Sequence, residues 1–217
     1  MSKIQTLNDL QDRLDREIGW RIKELDTLKK LVNRSDGISR NTAIRSAVCL
    51  SYAHWEGFVK RSAEHYIEFV SNRRLRYEEL SDCFVLIGAR RRLNEMTSDG
   101  KVAAAIGAVN FFRNDLTERA YLKLPGHVKT RSNLNSEVFE NIALTIGANV
   151  TEFGTRYNQI DEGLLARRNR IAHGEYLDLE TEHCRDLVDD VILLLRKFKD
   201  EIERLSTAKA YRAGGGA

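Results

Sequence analysis

The 217-residue chain is 42% hydrophobic and 31% charged, a soluble globular balance, and is long enough to bury a substantial core in one domain. Its 35 basic and 32 acidic residues leave a formal net charge of +3, which tolerates a nucleic-acid partner without demanding one. No run approaches the roughly 18–20 apolar residues that span a bilayer, and the N-terminus MSKIQTLNDLQDRLD is charged throughout, unlike a signal peptide. The expected setting is therefore soluble and cytoplasmic, with no membrane. Cys49, Cys83 and Cys184 are odd in number and far apart, and no pair has metal-ligand spacing, so they read as reduced thiols.

A single proline, Pro125, favours long helices, because proline breaks them. The first segment carries Ile4, Leu7, Leu10, Leu14, Ile18, Ile22, Leu25 and Leu28 at steps of three and four, one stripe of an amphipathic helix with Ser2 as its expected N-cap. Ser35, Asp36 and Gly37 mark a turn. A second long helix is predicted from about Arg40 to Asn72, and its middle, AVCLSYAHWEGFV, is apolar on most sides, as in a helix buried centrally in a bundle.

Two shorter helices are predicted between Leu80 and Leu116, broken at Asp99–Gly100. Arg119–Asn135, with Pro125, Gly126 and several polar residues, reads as an irregular insertion. Ser136 should cap the helix SEVFENIALTI, whose apolar face is Phe139, Ile142, Ala143 and Ile146. A helix from about Asp161 should end at Gly174, and a last long one should begin near Leu179 with the stripe Leu187, Val191, Leu194, Leu195, Phe198, Ile202 and Leu205. The predicted class is all-α: an up-and-down helical bundle of about five to seven helices with an irregular middle insertion. Residues 1–207 would form one domain, and 208–217 a low-complexity tail, disordered or non-native.

The stretch Leu164–Tyr176, LLARRNRIAHGEY, concentrates chemistry: three arginines, an asparagine and a histidine just before a helix-ending glycine. Cations suit the negative end of a helix dipole, which alone accounts for many such clusters. Histidine also exchanges protons near neutral pH, and a guanidinium stabilises the negative charge that a phosphodiester gathers during cleavage. On a regular helix Asn169 and His173 share a face, whereas Arg168 lies roughly 140° from His173 at about 100° per residue. A long arginine side chain, or two copies packed across a twofold axis, would bridge that offset.

The run Arg168-Asn169-Arg170-Ile171-Ala172-His173 resembles the signature of the HEPN superfamily: an arginine, a polar residue directly after it, and a histidine after four to six intervening positions. SYAHWEGFVK (Ser51–Lys60), SNLNSEVF (Ser132–Phe139) and the order of these pieces look like the MAE-type branch of small prokaryotic HEPN proteins. The resemblance implies a helical bundle that dimerises with the signature helices facing one another. It also implies metal-independent endoribonuclease activity leaving a 2′,3′-cyclic phosphate and a 5′-hydroxyl. By that analogy Arg168 holds the phosphate, Asn169 orders the site, and His173 activates the 2′-hydroxyl or protonates the leaving oxygen. Defence and toxin–antitoxin settings, with an antitoxin or nucleotidyltransferase-type partner, are common in the superfamily. Some members keep the fold and only bind RNA or a partner protein, which is the alternative for this chain.

Arg167, Arg170 and Tyr176 are the neighbouring candidates for substrate binding, Tyr176 either stacking on a base or packing on the bundle end. His54 and Glu56 are read either as auxiliary groups in the cleft or as structural residues, with Trp55 between them a core anchor and Lys60 the i+4 partner of Glu56. The clusters Arg73, Arg74, Arg76 and Arg90, Arg91, Arg92, near Tyr77, either track an RNA backbone or form solvated helix ends, as do Lys129 and Arg131. Glu180 and His183 have the Glu-x-x-His spacing of di-iron bundles, but no second such pair exists, and there is no Gly-x-x-x-x-Gly-Lys loop. The sequence therefore calls for no metal and no cofactor.

Overall fold

The computed structural model describes residues 3–99, 102–122 and 133–215. Among these, seven α-helices run in chain order: α1 (Leu7–Arg34), α2 (Gly37–Ser71), α3 (Asp82–Asp99), α4 (Val102–Asn114), α5 (Ser136–Thr145), α6 (Arg167–Ala172) and α7 (Thr181–Thr207). A π-helical segment, Gln159–Ala166, leads directly into α6. The described residues contain two isolated β-bridges and no strand, so the all-α class holds. None of the described helices is long and apolar enough to cross a membrane.

The amphipathic stripes determine the packing. In α1 the buried positions Leu10, Leu14, Ile18, Arg21, Leu25, Leu28 and Val32 advance by three and four and face α2 and α7. The helix begins one turn later than expected. Thr6, not Ser2, is the N-cap, and its hydroxyl accepts the Asp9 N–H (3.0 Å) while the Asp9 carboxylate accepts the Thr6 N–H (2.7 Å). Ser2 lies outside the described residues. α2 packs on α1, α5, α6, α7 and the π-helical segment, which is why it is apolar on so many sides. Trp55, fully buried, meets Phe139 (ring centroids 5.2 Å) and Phe198 (6.4 Å), so its reading as a core anchor holds. Each such side chain removed from water contributes on the order of 1.5–3 kcal/mol.

α3 and α4 form a hairpin with its own small core of Tyr77, Ala89 and Phe111. Gly88 is required there, since a Cβ would sit 2.2 Å from the Tyr77 ring. The break at Asp99–Gly100 lies at the edge of the described residues, with α3 ending at Asp99 and α4 starting at Val102. Pro125, Gly126, Lys129 and Arg131, the centre of the expected insertion, lie outside the described residues. Asn135 rather than Ser136 caps α5, its side chain accepting the Val138 N–H at 2.8 Å.

The expectation of a disordered tail does not hold for 208–215. After α7 the chain turns back, and Tyr211 is buried against Phe69 (5.9 Å). The Tyr211 carbonyl accepts the Ser81 N–H (2.8 Å), and the Glu79 carbonyl accepts the Ala213 N–H (3.0 Å). One aromatic ring and two backbone hydrogen bonds anchor a segment whose composition suggests disorder.

Candidate functional site

The helix that carries RNRIAH is unusual before it reaches that motif. From Gln159 to Ala166 it is wound in π-helical turns, a rare geometry often found at functional sites, and it becomes α-helical at Arg167. Ile160, Leu164 and Leu165 anchor the wide turns in the core, and the Asp161 carboxylate accepts the Ser136 N–H at 2.7 Å, tying them to the start of α5.

α6 ends in a Schellman turn. The Gly174 N–H bonds the Ile171 carbonyl (3.1 Å) and the Glu175 N–H bonds the Arg170 carbonyl (2.9 Å), with Gly174 at φ +79°. Only glycine adopts that conformation without strain, so the glycine that ends the helix also sets the exit of His173. His173 is the C-cap residue, its N–H bonded to the Asn169 carbonyl (2.9 Å), and its side chain is exposed.

Arg168 points to α2. Its guanidinium carbon lies 4.0 Å from the centroid of the Tyr52 ring, and its Nη1 donates to Asn169 Oδ1 at 2.8 Å. The ring and the amide hold the guanidinium plane from two sides. Tyr52 is itself fixed, 3% exposed, with its hydroxyl accepting the Leu134 N–H at 2.6 Å. Burial pushes the Tyr52 phenol up, and the charge on Glu56 adds to this while Arg168 opposes it. Burial likewise pushes the Cys49 thiol up, opposed by Arg168 and Arg45. Arg45, Cys49, Tyr52 and Glu56 follow one another at steps of four, three and four, so one face of α2 looks onto the signature. Sequence reading singled out only Glu56 from that face, although its helical spacing was available to find the other three.

The remaining candidates separate. Arg170 bonds Glu175 (3.3 Å) and the Tyr176 carbonyl (3.2 Å). Arg167 is half-buried and turns toward α7, lining a half-open groove of about 270 Å³ with Gln159, Leu164, His183 and Asp186. Tyr176 is 66% exposed and so does not pack on the bundle end. His54 is not brought to the signature. It lies two residues past Tyr52, about 200° round the helix, buried against α1 with Nε2 2.7 Å from a Glu24 carboxylate oxygen and its ring edge-on to Trp20 (5.1 Å). Burial drives its imidazole toward the neutral form, against the pull of Glu24.

The basic clusters make local contacts in their own corner. Arg73 stacks on Phe69 (4.4 Å) and Arg92 on Phe111 (4.6 Å), while Arg76 and Arg91 pair with Glu78 and Glu95. Glu180 stands at the N-cap position of α7 without a capping side-chain bond, and among the described residues no group of three or more His, Cys, Asp or Glu side chains gathers as a metal site would require.

No curated protein and no solved structure matches the chain. A family model does: RiboL-PSP-HEPN, over residues 16–204, a span that holds α2, the π-helical segment, the RNRIAH helix and nearly all of α7. The match bears out the HEPN resemblance and names the RiboL-PSP branch, giving no support to the MAE-type branch. With a helical bundle around a central α2 and an Arg-Asn-x-x-x-His helix end facing it, the chain belongs to the RiboL-PSP-HEPN family of the HEPN superfamily.

Proposed function

We propose that this protein is a metal-independent endoribonuclease acting in the cytoplasm, with Arg168, Asn169 and His173 as its catalytic residues. The observation that carries the reading is the chain of contacts Tyr52–Arg168–Asn169, which fixes a guanidinium on the helix end where an exposed imidazole stands. A preorganised cation and a proton-exchanging group carried on one helix end are groups that phosphodiester cleavage uses. The 2′-oxygen attacks phosphorus as its proton passes to a base. The P–O5′ bond breaks, and the leaving oxygen takes a proton from an acid, giving a 2′,3′-cyclic phosphate and a 5′-hydroxyl.

One imidazole serves one of these two proton transfers at a time. A homodimer with signature helices facing across a twofold axis supplies a second His173, so base and acid come from different copies. Arg168 neutralises the charge gathering on the non-bridging oxygens, and Arg167, Arg170 and Tyr176 extend the binding surface. Glu56 shares the α2 face opposite the signature and is retained as a substrate contact; His54, turned to α1, acts through packing. A defence or toxin–antitoxin role, with activity held in check by an antitoxin or nucleotidyltransferase-type partner, suits a nuclease of this kind.

The test is cleavage of a labelled RNA pool in EDTA by the parent protein, Arg168→Ala and His173→Ala, with solution mass measured in parallel. Loss of one proton-transfer group should slow cleavage by roughly 10²–10⁴-fold. No cleavage by any of the three, across several RNA classes, would leave a helical module that binds RNA or a partner protein. Equal cleavage by all three would remove Arg168 and His173 from the site, and a monomeric active enzyme would remove the composite cleft.

A further inference from the structure

A Schellman turn needs two backbone hydrogen bonds, and the end of α6 has both. The next two carbonyls are nevertheless held by arginine side chains. Arg45 reaches from α2 and donates Nη1 to the Glu175 carbonyl at 2.7 Å, 130 residues away in sequence. Arg170 donates Nη2 to the Tyr176 carbonyl at 3.2 Å and pairs with the Glu175 carboxylate. On the far side Leu177 is buried and anchors the chain. The backbone on both sides of Tyr176 is thus tied to the bundle, yet the residue itself is two-thirds exposed. Termination of the helix does not require this clamp. Its effect is to fix the backbone that presents one exposed aromatic side chain, three residues from His173.

We infer that Arg45 is a positioning residue which, with Arg170, locks Tyr176 in place as a stacking platform for an unpaired nucleobase beside the scissile phosphate. This rests on the reading of the protein as an RNA-cleaving enzyme. An aromatic face stacks any unpaired base, and a platform whose backbone is already fixed loses less conformational entropy on binding than one on a loose segment. The phenol oxygen is not needed for stacking, so phenylalanine should replace Tyr176 and alanine should not.

The experiment compares the parent with Tyr176→Phe, Tyr176→Ala, Arg45→Ala, Arg45→Lys and the double variant Arg45→Ala/Tyr176→Ala. Two readouts are used: steady-state cleavage of an oligoribonucleotide, and anisotropy with a fluorescent 2′-O-methyl copy of it, which cannot be cleaved. Tyr176→Ala should raise KM and the Kd of the analogue about tenfold, in the range of stacking losses on alanine substitution, with kcat little changed. Tyr176→Phe should match the parent. Arg45→Ala should weaken binding similarly, Arg45→Lys should recover part of the loss, and the double variant should bind no worse than Tyr176→Ala. Unchanged KM and Kd in Tyr176→Ala, or losses that multiply in the double variant, would overturn the inference. So would a parent that fails to bind the analogue. A parent that binds it with the expected variant pattern but cleaves nothing would instead retire the nuclease reading and leave the platform standing.

Discussion

Replacing Tyr52 separates the two functions of its side chain. Its ring carries the Arg168 guanidinium at 4.0 Å, and its hydroxyl is the acceptor for the fully buried N–H of Leu134 at 2.6 Å. Tyr52→Phe keeps the ring, orphans the N–H and removes the phenol oxygen's own hydrogen bond with Arg168. A buried donor left without a partner costs about 1–3 kcal/mol, and in a chain of this size each kcal/mol lowers Tm by roughly 2–4 °C. Tyr52→Leu orphans the same N–H and also removes the cation–π contact, worth about 1–2 kcal/mol in this partly desolvated position. At 1.36 kcal/mol per tenfold, loosening Arg168 by that amount should lower kcat/KM by about 5–30-fold. Urea unfolding gives the stability of both variants, and cleavage of a labelled RNA under conditions where both are folded gives activity. The expected pattern is a destabilised Tyr52→Phe that still cleaves faster than an equally destabilised Tyr52→Leu, because the ring remains under Arg168 in the first and not in the second. A Tyr52→Phe as stable as the parent would refute the hydrogen-bond argument. Equal activity in the two variants would refute the claim that the ring holds Arg168 for catalysis.

Gly88→Ala forces a methyl into the ring of Tyr77, which is pinned edge-on to Phe111 (4.9 Å) and accepts the Tyr121 N–H (3.1 Å). Overpacking of this kind costs about 1–3 kcal/mol, and hydrogen exchange should show protection lost in α3 and α4 but kept in α1, α2 and α7; uniform loss across the chain would show that the hairpin core is not separate. His54 and His65 supply a pH dependence. Burial lowers both below the ordinary imidazole value, opposed at His54 by Glu24 and at His65 by Glu17 and Glu68, with Arg21, Arg13 and Arg61 reinforcing the shift. The unfolded chain then binds protons before the folded one does. Stability is level above about pH 6.5 and falls as the pH drops through the window between that unfolded value and the lowered folded ones. Urea midpoints from pH 7.5 to 5 should show this decline and a flatter profile in His54→Gln/His65→Gln; an identical slope in the double variant would assign the acid sensitivity elsewhere.

The helices were legible in the residue pattern alone. Stripes at steps of three and four placed α1 and α7, a run apolar on most sides placed α2, the Asp99–Gly100 break separated α3 from α4, and Gly174 closed the RNRIAH helix where only a residue free at positive φ fits. These signals are local, since each is a pattern along one helix or a property of one residue. The tertiary structure alone decided what each face meets. It gave Arg168 the ring of Tyr52, turned His54 onto Glu24, and brought Arg45 to the Glu175 carbonyl. It also wound Gln159–Ala166 into π turns, held by buried side chains and the Asp161–Ser136 bond, where eight residues are too few for their own periodicity to reveal the wider pitch. Tyr211 makes the same point at the C-terminus: its neighbours in sequence read as a loose tail, but its ring packs on Phe69, far back in α2. Periodicity records which side of a helix is apolar, whereas pairing between sides depends on contacts made by residues distant along the chain.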